Sequence, residues 1–505
     1  MRVREWPVRK DDMSVEKRSE EIELVIVSNR SAIDFVWHSS TWQAQPATSA
    51  LAIMLEPLVR RVRSTWYSCV AEPDDAVEQR SLLYHLASKR IKSLMQVVPV
   101  PIAATTYEAY YGQISNEVLW MLQHGIEEPD NYANLASSRY HAWTEGYVQV
   151  NLEIASAIAD STTSPRAFLV HDYHLYLLPS LLRQAFPGIP ILHFTHIPFP
   201  KPEILRWLPE IWRSAILCGL LGADVVGLQT EADAENFMQC CHDFLGKNID
   251  ATSKVIWLPG NRHIQVRAYP ASVNPQEVNS VLQSDDARSA EKRFTDNHIR
   301  QTIVRVDRLD PAKNQVTGFL AFSRLLEQHP EFRGQVRFLA FLVPSRTNLS
   351  AYQAYRDKVN RVVEEINARY AREGEPAPIQ VFYENNRVQA LVAMQHSDVM
   401  FANSLADGMN LVVKEWAIVS TRPGVLVLAN TVGVAQEARE AALLVSPQDV
   451  EGTAEALAHA LVMPDAERHI RLGLIRTRVR SWTATDWLTA QLDDLGLKSV
   501  SAQLK

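Results

Sequence analysis

Apolar residues fall in short, separated runs along the chain. They include Leu24–Val27, Ala167–Val170, Ile191–Thr195, Val225–Leu228, Thr302–Val306, Val336–Val343, Ile379–Tyr383, Val399–Ala402 and Gly424–Ala429. Runs rich in Val, Ile, Leu and Phe, without polar alternation, predict strands covered on both faces, as in parallel sheets. Between them the period changes to that of helices. In Gly318–His329, Phe319, Phe322 and Leu326 share one face, while Arg324 and Glu327 lie elsewhere. Strand–helix alternation over the whole length predicts an α/β protein built of βαβ units. One continuous sheet would need about a dozen strands, more than open sheets ordinarily carry, so two doubly wound domains are expected.

The domain break is expected between Pro275 and Asn297, where strand signals give way to Ser284-Asp285-Asp286 and a polar helical stretch, Ala287–Lys292. This divides the chain into a loose N-terminal arm (1–20), a first domain (21–283), a second domain (284–480) and a helical tail (481–505). The tail carries Trp482, Trp487, Leu488 and Leu492 at broadly helical spacing. Ala371–Pro378, charged and poor in apolar residues, reads as a loop inside the second domain.

Composition narrows the classes of function. Among 505 residues, 51 Lys and Arg stand against 58 Asp and Glu, for a net charge of −7. A protein living on nucleic-acid phosphate should show a basic excess, so no nucleic-acid partner is expected. A small anionic ligand is still allowed, because local cations can hold one inside an acidic protein. Glycine numbers only 18, about half the usual ~7% share, so a glycine-rich phosphate loop cannot be assumed. Four cysteines (Cys69, Cys218, Cys240 and Cys241) form no CxxC pair and no disulfide framework, which predicts a reducing compartment. The N-terminus lacks the apolar core of a secretion signal. Ala215–Leu228 is too short to cross a bilayer and carries Asp224. A soluble cytoplasmic protein without a membrane partner is expected. The oligomeric state is left open, a homo-oligomer included.

In open α/β sheets ligands sit beyond the carboxyl ends of the strands. There this sequence places Ser28-Asn29-Arg30, His171-Asp172-Tyr173-His174, His196-Ile197-Pro198-Phe199-Pro200, Asp307–Lys313, Pro344-Ser345-Arg346 and Ala406–Asn410. Arg308 and Lys313, five apart at a strand end, can aim at one anionic group at the start of the next helix. Alternatively, Arg308 pairs with Asp307 or Asp310. Asp407-Gly408-Met409-Asn410-Leu411 has the form of a tight turn entering a helix, with N–H groups able to meet phosphate or sugar oxygens. Glu415, further along that helix, is spaced to take a diol such as ribose. The plainer alternative is an Asp helix cap and a surface Glu. His171-Asp172 offers metal-ligand residue types, but strand alternation sends the two to opposite faces and no further ligand accompanies them, so no metal is expected. No GxSxG, HExxH, Walker A or GxGxxG motif is present.

VSNR, YYGQISNEVLW, VHDYHL, HFTHIPFP, LQTE, VDRLDPAK, PSR, DGMNLVVKE and GVLVLA resemble, in the same order, the signatures of the trehalose-6-phosphate synthase family, glycosyltransferase family 20. The resemblance implies the GT-B fold: two Rossmann-like domains facing across a cleft, with a C-terminal helix crossing back to the first. It further implies a retaining, metal-independent hexosyl transfer from a nucleotide sugar to a sugar phosphate, with no cofactor. By motif, Arg308 and Lys313 would grip the donor diphosphate and Glu415 the donor ribose. Asp407, Gly408, Met409, Asn410 and Leu411 would hold the donor's sugar and phosphates. His196 would meet the donor hexose near the reacting carbon. Arg30, Tyr111, Trp120 and Arg346 would form the phosphate pocket of a hexose 6-phosphate-like acceptor, whose sugar Asp172 would orient.

Three stretches depart from the family pattern. Its glycine-rich GGL-type loop is replaced by Pro46-Ala47-Thr48-Ser49-Ala50-Leu51, its DYSKG by Asp310-Pro311-Ala312-Lys313-Asn314, and its YPIG by Tyr269-Pro270-Ala271-Ser272. A side chain where backbone must approach phosphate takes room and, at positive φ, adds strain. DP-x-KN resembles the branch that includes validoxylamine phosphate synthases, pseudo-glycosyltransferases that join a nucleotide-activated cyclitol to an aminocyclitol phosphate. That activity is one alternative expectation. A non-catalytic sugar-phosphate-binding homologue is the other.

Overall fold

The computed structural model describes residues 24–30, 32–38, 41–47, 49–72, 94–161, 165–294 and 301–504; the expected arm, 1–20, lies outside them. Two compact units form. The first runs to Tyr269, omitting His124–Ile126, and regains the chain from Leu488; the second holds His124–Ile126 and Pro270–Trp487.

The first unit contains β1 (Leu24–Ser28), β2 (Ile33–His38), β3 (Thr41–Pro46), β4 (Ser64–Glu72), β5 (Met95–Ala103), β6 (Ala167–His171), β7 (Ile191–Phe194), β8 (Val225–Leu228), β9 (Asn248–Asp250), β10 (Val255–Trp257) and β11 (His263–Ala268). Nine of them make one sheet in the order β5-β4-β1-β6-β7-β8-β11-β10-β9. It is parallel from β5 to β11 and antiparallel beyond, while β2 and β3 pair as a separate antiparallel ribbon. β5 carries Pro99 and Pro101 and lies at the edge. Two residues apart, the prolines turn the same way, so both missing N–H groups can face the open side. The tail is fastened here: the Tyr269 hydroxyl donates to Asp494 at 2.6 Å and Arg61 to the Leu504 carbonyl.

The second unit contains β12 (Gln301–Arg308), β13 (Val336–Val343), β14 (Ile379–Phe382), β15 (Val399–Ala402), β16 (Val425–Ala429) and β17 (Ala442–Val445), in the order β14-β13-β12-β15-β16-β17. All are parallel. Counted within the unit this is the doubly wound order 3-2-1-4-5-6, whose switch point lies between β12 and β15. The first unit follows the same order through β5, β4, β1, β6, β7 and β8, with its switch point between β1 and β6. Phe319, Phe322 and Leu326, expected on one helix face, are buried against Phe338 and Phe401 in the core.

The division between units differs from the expected one. The helix Pro275–Val281, capped by Asn274, packs on the helix Leu411–Val419, so the second unit begins at Pro270 and not after residue 283. At the other end, Trp482 donates to the Pro270 carbonyl at 2.7 Å. The second unit therefore keeps the chain through Trp487, inside the helix Ala484–Asp494, where a break at 480/481 was expected.

Candidate functional site

At the switch point of the first unit, β1 ends in Ser28-Asn29-Arg30 and β6 in His171-Asp172. The Ser28 hydroxyl accepts from the buried Trp66 indole at 2.8 Å, and Asn29 reaches the Tyr107 hydroxyl at 3.4 Å. Burial pushes the Tyr107 phenol upward, partly offset by the nearby exposed Arg30. Tyr107 stacks on Tyr111 (centroids 5.3 Å) and Tyr111 on His174 (5.7 Å, 8° between planes). Trp120 is buried and lies against Tyr173, whose hydroxyl donates to Asn116 at 2.8 Å. Tyr111 and Trp120 belong to a π-helical segment, Glu108–Trp120, a rare winding that recurs at functional sites. The structure thus groups Arg30, Tyr111, Trp120 and Asp172 around one aromatic stack.

Asp172 has φ 78° and ψ 167°, a conformation otherwise nearly confined to glycine and costing about 1–3 kcal/mol elsewhere. This strained turn overturns the expectation that His171 and Asp172 face apart. His171 Nδ1 lies 3.3 Å from His196 Nε2, and the Asp172 carboxylate accepts the His196 backbone N–H at 3.1 Å. Burial pushes His196 and the adjacent His193 down to about 3, and His171 far below its ordinary value. These imidazoles are neutral at physiological pH. Among the described residues no group of three or more His, Cys, Asp or Glu could hold a metal ion.

At the switch point of the second unit, the Lys313 ammonium is bonded to the Asp407 carboxylate. Arg308, 40% exposed, stands 3.8 Å from Asp310. Asp307, its other expected partner, pairs instead with Arg305 at 2.6 Å. Arg346 holds Asp310 at 2.6 Å and the Tyr352 hydroxyl at 2.7 Å. Burial raises the Asp310 carboxyl, but Arg346 and Arg308 more than offset this and hold it below the usual range. Arg346, expected with the acceptor residues, therefore sits in the second unit beside Asp310, while the other three belong to the first. A cavity of about 410 Å³ opens at the ends of β12 and β13, lined by Leu309, Pro344, Ser345, Tyr352 and Asn360.

Asn410, not Asp407, caps the helix Leu411–Val419; its side chain accepts from Val413 N at 3.2 Å and donates to Asp407 at 3.1 Å. Glu415 is not a surface residue. Burial raises its carboxyl, Arg387 lowers it through bonds of 3.0 and 2.7 Å, and Glu277, clamped by the same guanidinium, raises it again. Sequence reasoning missed Arg387 and Glu277, which come from distant helices. It also missed Gly433, whose N–H donates to the Asp407 carbonyl at 2.9 Å. A Cβ at Gly433 would lie 1.9 Å from the Gly408 oxygen, so the turn depends on that glycine.

Two of the departures from the family pattern are accommodated without glycine. Asn314 stands at φ 58°, ψ 41°, the left-handed region that Asn tolerates better than other side chains. Its amide donates to the carbonyls of Asn403 (3.1 Å) and Pro447 (2.7 Å). In the stretch 46–51, where Thr48 lies outside the described residues, no described residue has positive φ, and Ser49 caps the helix Ala50–Arg61. Backbone strain therefore does not require glycine at the described positions.

Two Rossmann-like domains, each gathering polar side chains at its switch point, have the GT-B architecture of glycosyltransferases. The family model of Glycosyltransferase family 20 matches residues 22–496, and the chain belongs to that family. It is 32% identical to the trehalose-6-phosphate synthase of Mycobacterium tuberculosis over 486 residues, 94% of each chain. A solved structure of an alpha,alpha-trehalose-phosphate synthase (UDP-forming) from Burkholderia xenovorans, in complex with glucose-6-phosphate, superposes with a TM-score of 0.80 at 29% identity, covering 94% of this chain and 100% of that one. "Trehalose-6-phosphate from E. coli bound with UDP-2-fluoro glucose" gives 0.79 at 27% identity, covering 94% and 98%. The protein is a glycosyltransferase. Among its described residues no helix is long and apolar enough to cross a membrane.

Proposed function

We propose that this glycosyltransferase moves a glucosyl group from UDP-glucose to glucose 6-phosphate, with retention of configuration and without a metal, giving α,α-trehalose 6-phosphate and UDP. The observation that carries the reading is the meeting of Lys313 and Asp407 at the switch point of the second sheet, with Arg308 exposed on the neighbouring strand end. Two cations there can neutralise a departing diphosphate, the charge that a metal would otherwise meet. The bond between the anomeric carbon and the phosphate oxygen breaks as the acceptor hydroxyl oxygen bonds to that carbon on the same face. The hydroxyl proton passes to the leaving phosphate. No carboxylate nucleophile is needed, so positioning and charge stabilisation do most of the catalysis.

In this reading Asp407 to Leu411 and Glu415 hold the donor, and Arg387 keeps Glu415 aimed. His196, neutral and tethered by Asp172, meets the donor hexose through a hydrogen bond without adding a competing charge. Arg30, Tyr111 and Trp120 take the acceptor phosphate, and Asp172 its sugar. The relatives favour this synthase activity over a cyclitol-coupling enzyme or a non-catalytic binder. A panel of nucleotide-glucose and nucleotide-cyclitol donors against sugar-phosphate acceptors tests it. Turnover of UDP-glucose with glucose 6-phosphate is expected; turnover confined to a cyclitol donor, or ligand-induced thermal shifts with no turnover, would reject it.

A further inference from the structure

The run Thr302–Val306 reads as an apolar strand, yet its fourth residue is an arginine with no exposed surface. It lies in β12, flanked by β13 and β15. A guanidinium so placed is costly unless paired and hydrogen-bonded. Arg305 Nε donates to Asp307 at 2.6 Å, Nη2 donates to the carbonyl oxygen of Lys313, and the guanidinium carbon lies 5.6 Å from the Phe401 ring centre. Gly318 leaves the room for it, since a Cβ there would lie 2.4 Å from Nη1. Burial raises the Asp307 carboxyl, and Arg305 and then Lys313 lower it again without cancelling that push. Charges therefore alternate from Arg305 to Asp307 to Lys313 to Asp407.

A core ion pair alone would need only Arg305 and Asp307. Here the guanidinium forks, and its second arm grips the backbone of the residue whose side chain is to meet the leaving group. On the far side of the same peptide, Asn314 is tied to two strand-end carbonyls. We infer that Arg305 is a positioning residue for glycosyl transfer, fixing the Lys313 carbonyl and through it the aim of the Lys313 ammonium. This rests on the leaving-group role proposed for Lys313. Lysine at position 305 would keep the buried charge but, as a point donor on a flexible stem, could not fork between Asp307 and the carbonyl.

The test is a double-mutant cycle on kcat with UDP-glucose and glucose 6-phosphate, using R305K, K313A and R305K/K313A beside thermal melting of each. R305K should lower kcat by about 10-fold or more with a modest change in Tm, since a misplacement of ~1 Å can cost ~10²-fold. In the K313A background the same change should cost little further. R305M should repeat the loss if it folds; if it does not, R305K decides. A merely structural role would lower Tm and leave the two losses additive. Wild-type kcat in R305K, or full additivity in an active enzyme, overturns this inference alone. A wild-type enzyme inactive with every nucleotide-glucose overturns the proposed function and this inference with it.

Discussion

Lys313 and Asp407, 94 residues apart in the chain, are bonded side chain to side chain at the switch point of the second sheet. Each is mostly covered, at 11% and 14% side-chain exposure, so neither charge is well solvated without the other. A bound diphosphate would compete with Asp407 for the ammonium. Replacing Lys313 or Arg308 by Ala should lower kcat by about 10²–10³-fold, the typical effect of losing one preorganised donor to a developing charge. The loss should fall on kcat more than on donor KM. Steady-state kinetics with UDP-glucose measures this, and unchanged kcat in both variants would remove the leaving-group role.

Gly433 supports the Asp407–Asn410 turn by having no side chain. In Gly433→Ala the new methyl meets the Gly408 carbonyl, and overpacking of this kind typically costs about 1–3 kcal/mol. Displacement of the Asp407–Asn410 turn should also weaken donor binding. Thermal melting and the KM for UDP-glucose should both change; a variant normal in both would show that the turn tolerates the shift.

The buried histidines predict a pH dependence of stability. His193 and His196 are held down to about 3 in the folded protein, against ~6.5 when unfolded. Between those values the unfolded chain takes up protons that the folded chain does not. Stability is therefore full above pH ~6.5 and is lost as pH falls below it, levelling off near pH ~3. Ordinary carboxylates are already ionised between pH ~5 and ~6.5, and raised ones such as Glu415 and Asp307 add stability as pH falls, so a drop in Tm there comes from the histidines. His196→Gln should make that drop shallower, and an equal slope in the variant would contradict the assignment.

Asn314 offers a comparison of backbone and side-chain effects. Both Asn314→Gly and Asn314→Ala lose the bonds to Asn403 and Pro447, but only alanine brings a Cβ into the left-handed backbone, at a cost of about 1–2 kcal/mol. Asn314→Ala should melt at the lower temperature. The reverse order would mean that the bonds and the φ value do not govern this position.

Much of the architecture is legible because fully buried parallel strands need apolar side chains on both faces, which is why Val336–Val343 and Val399–Ala402 stand out. β5 escapes notice because an edge strand accepts Pro99 and Pro101, and β4 because Ser64, Ser68 and Glu72 break its apolar run. Strand-end motifs single out Asp172, His196, Lys313 and Asp407, and the structure places each of them just beyond the end of a parallel strand. What surrounds them is harder to read. Arg387 and Glu277 reach Glu415 from other helices, Arg305 hides inside an apolar run, and the turn at Asp172 breaks the alternation used to place His171. Each depends on long-range packing or on a φ value that local spacing does not encode.

The most direct measurement follows the product. The purified protein is incubated with UDP-glucose and either glucose 6-phosphate or glucose, and UDP release and the anomeric configuration of any disaccharide are read by proton NMR. UDP should appear in step with an α,α-linked disaccharide phosphate, and far more slowly with glucose, which lacks the phosphate. Equal UDP release with both acceptors, or no disaccharide phosphate from glucose 6-phosphate, would contradict a transferase built around an anionic acceptor.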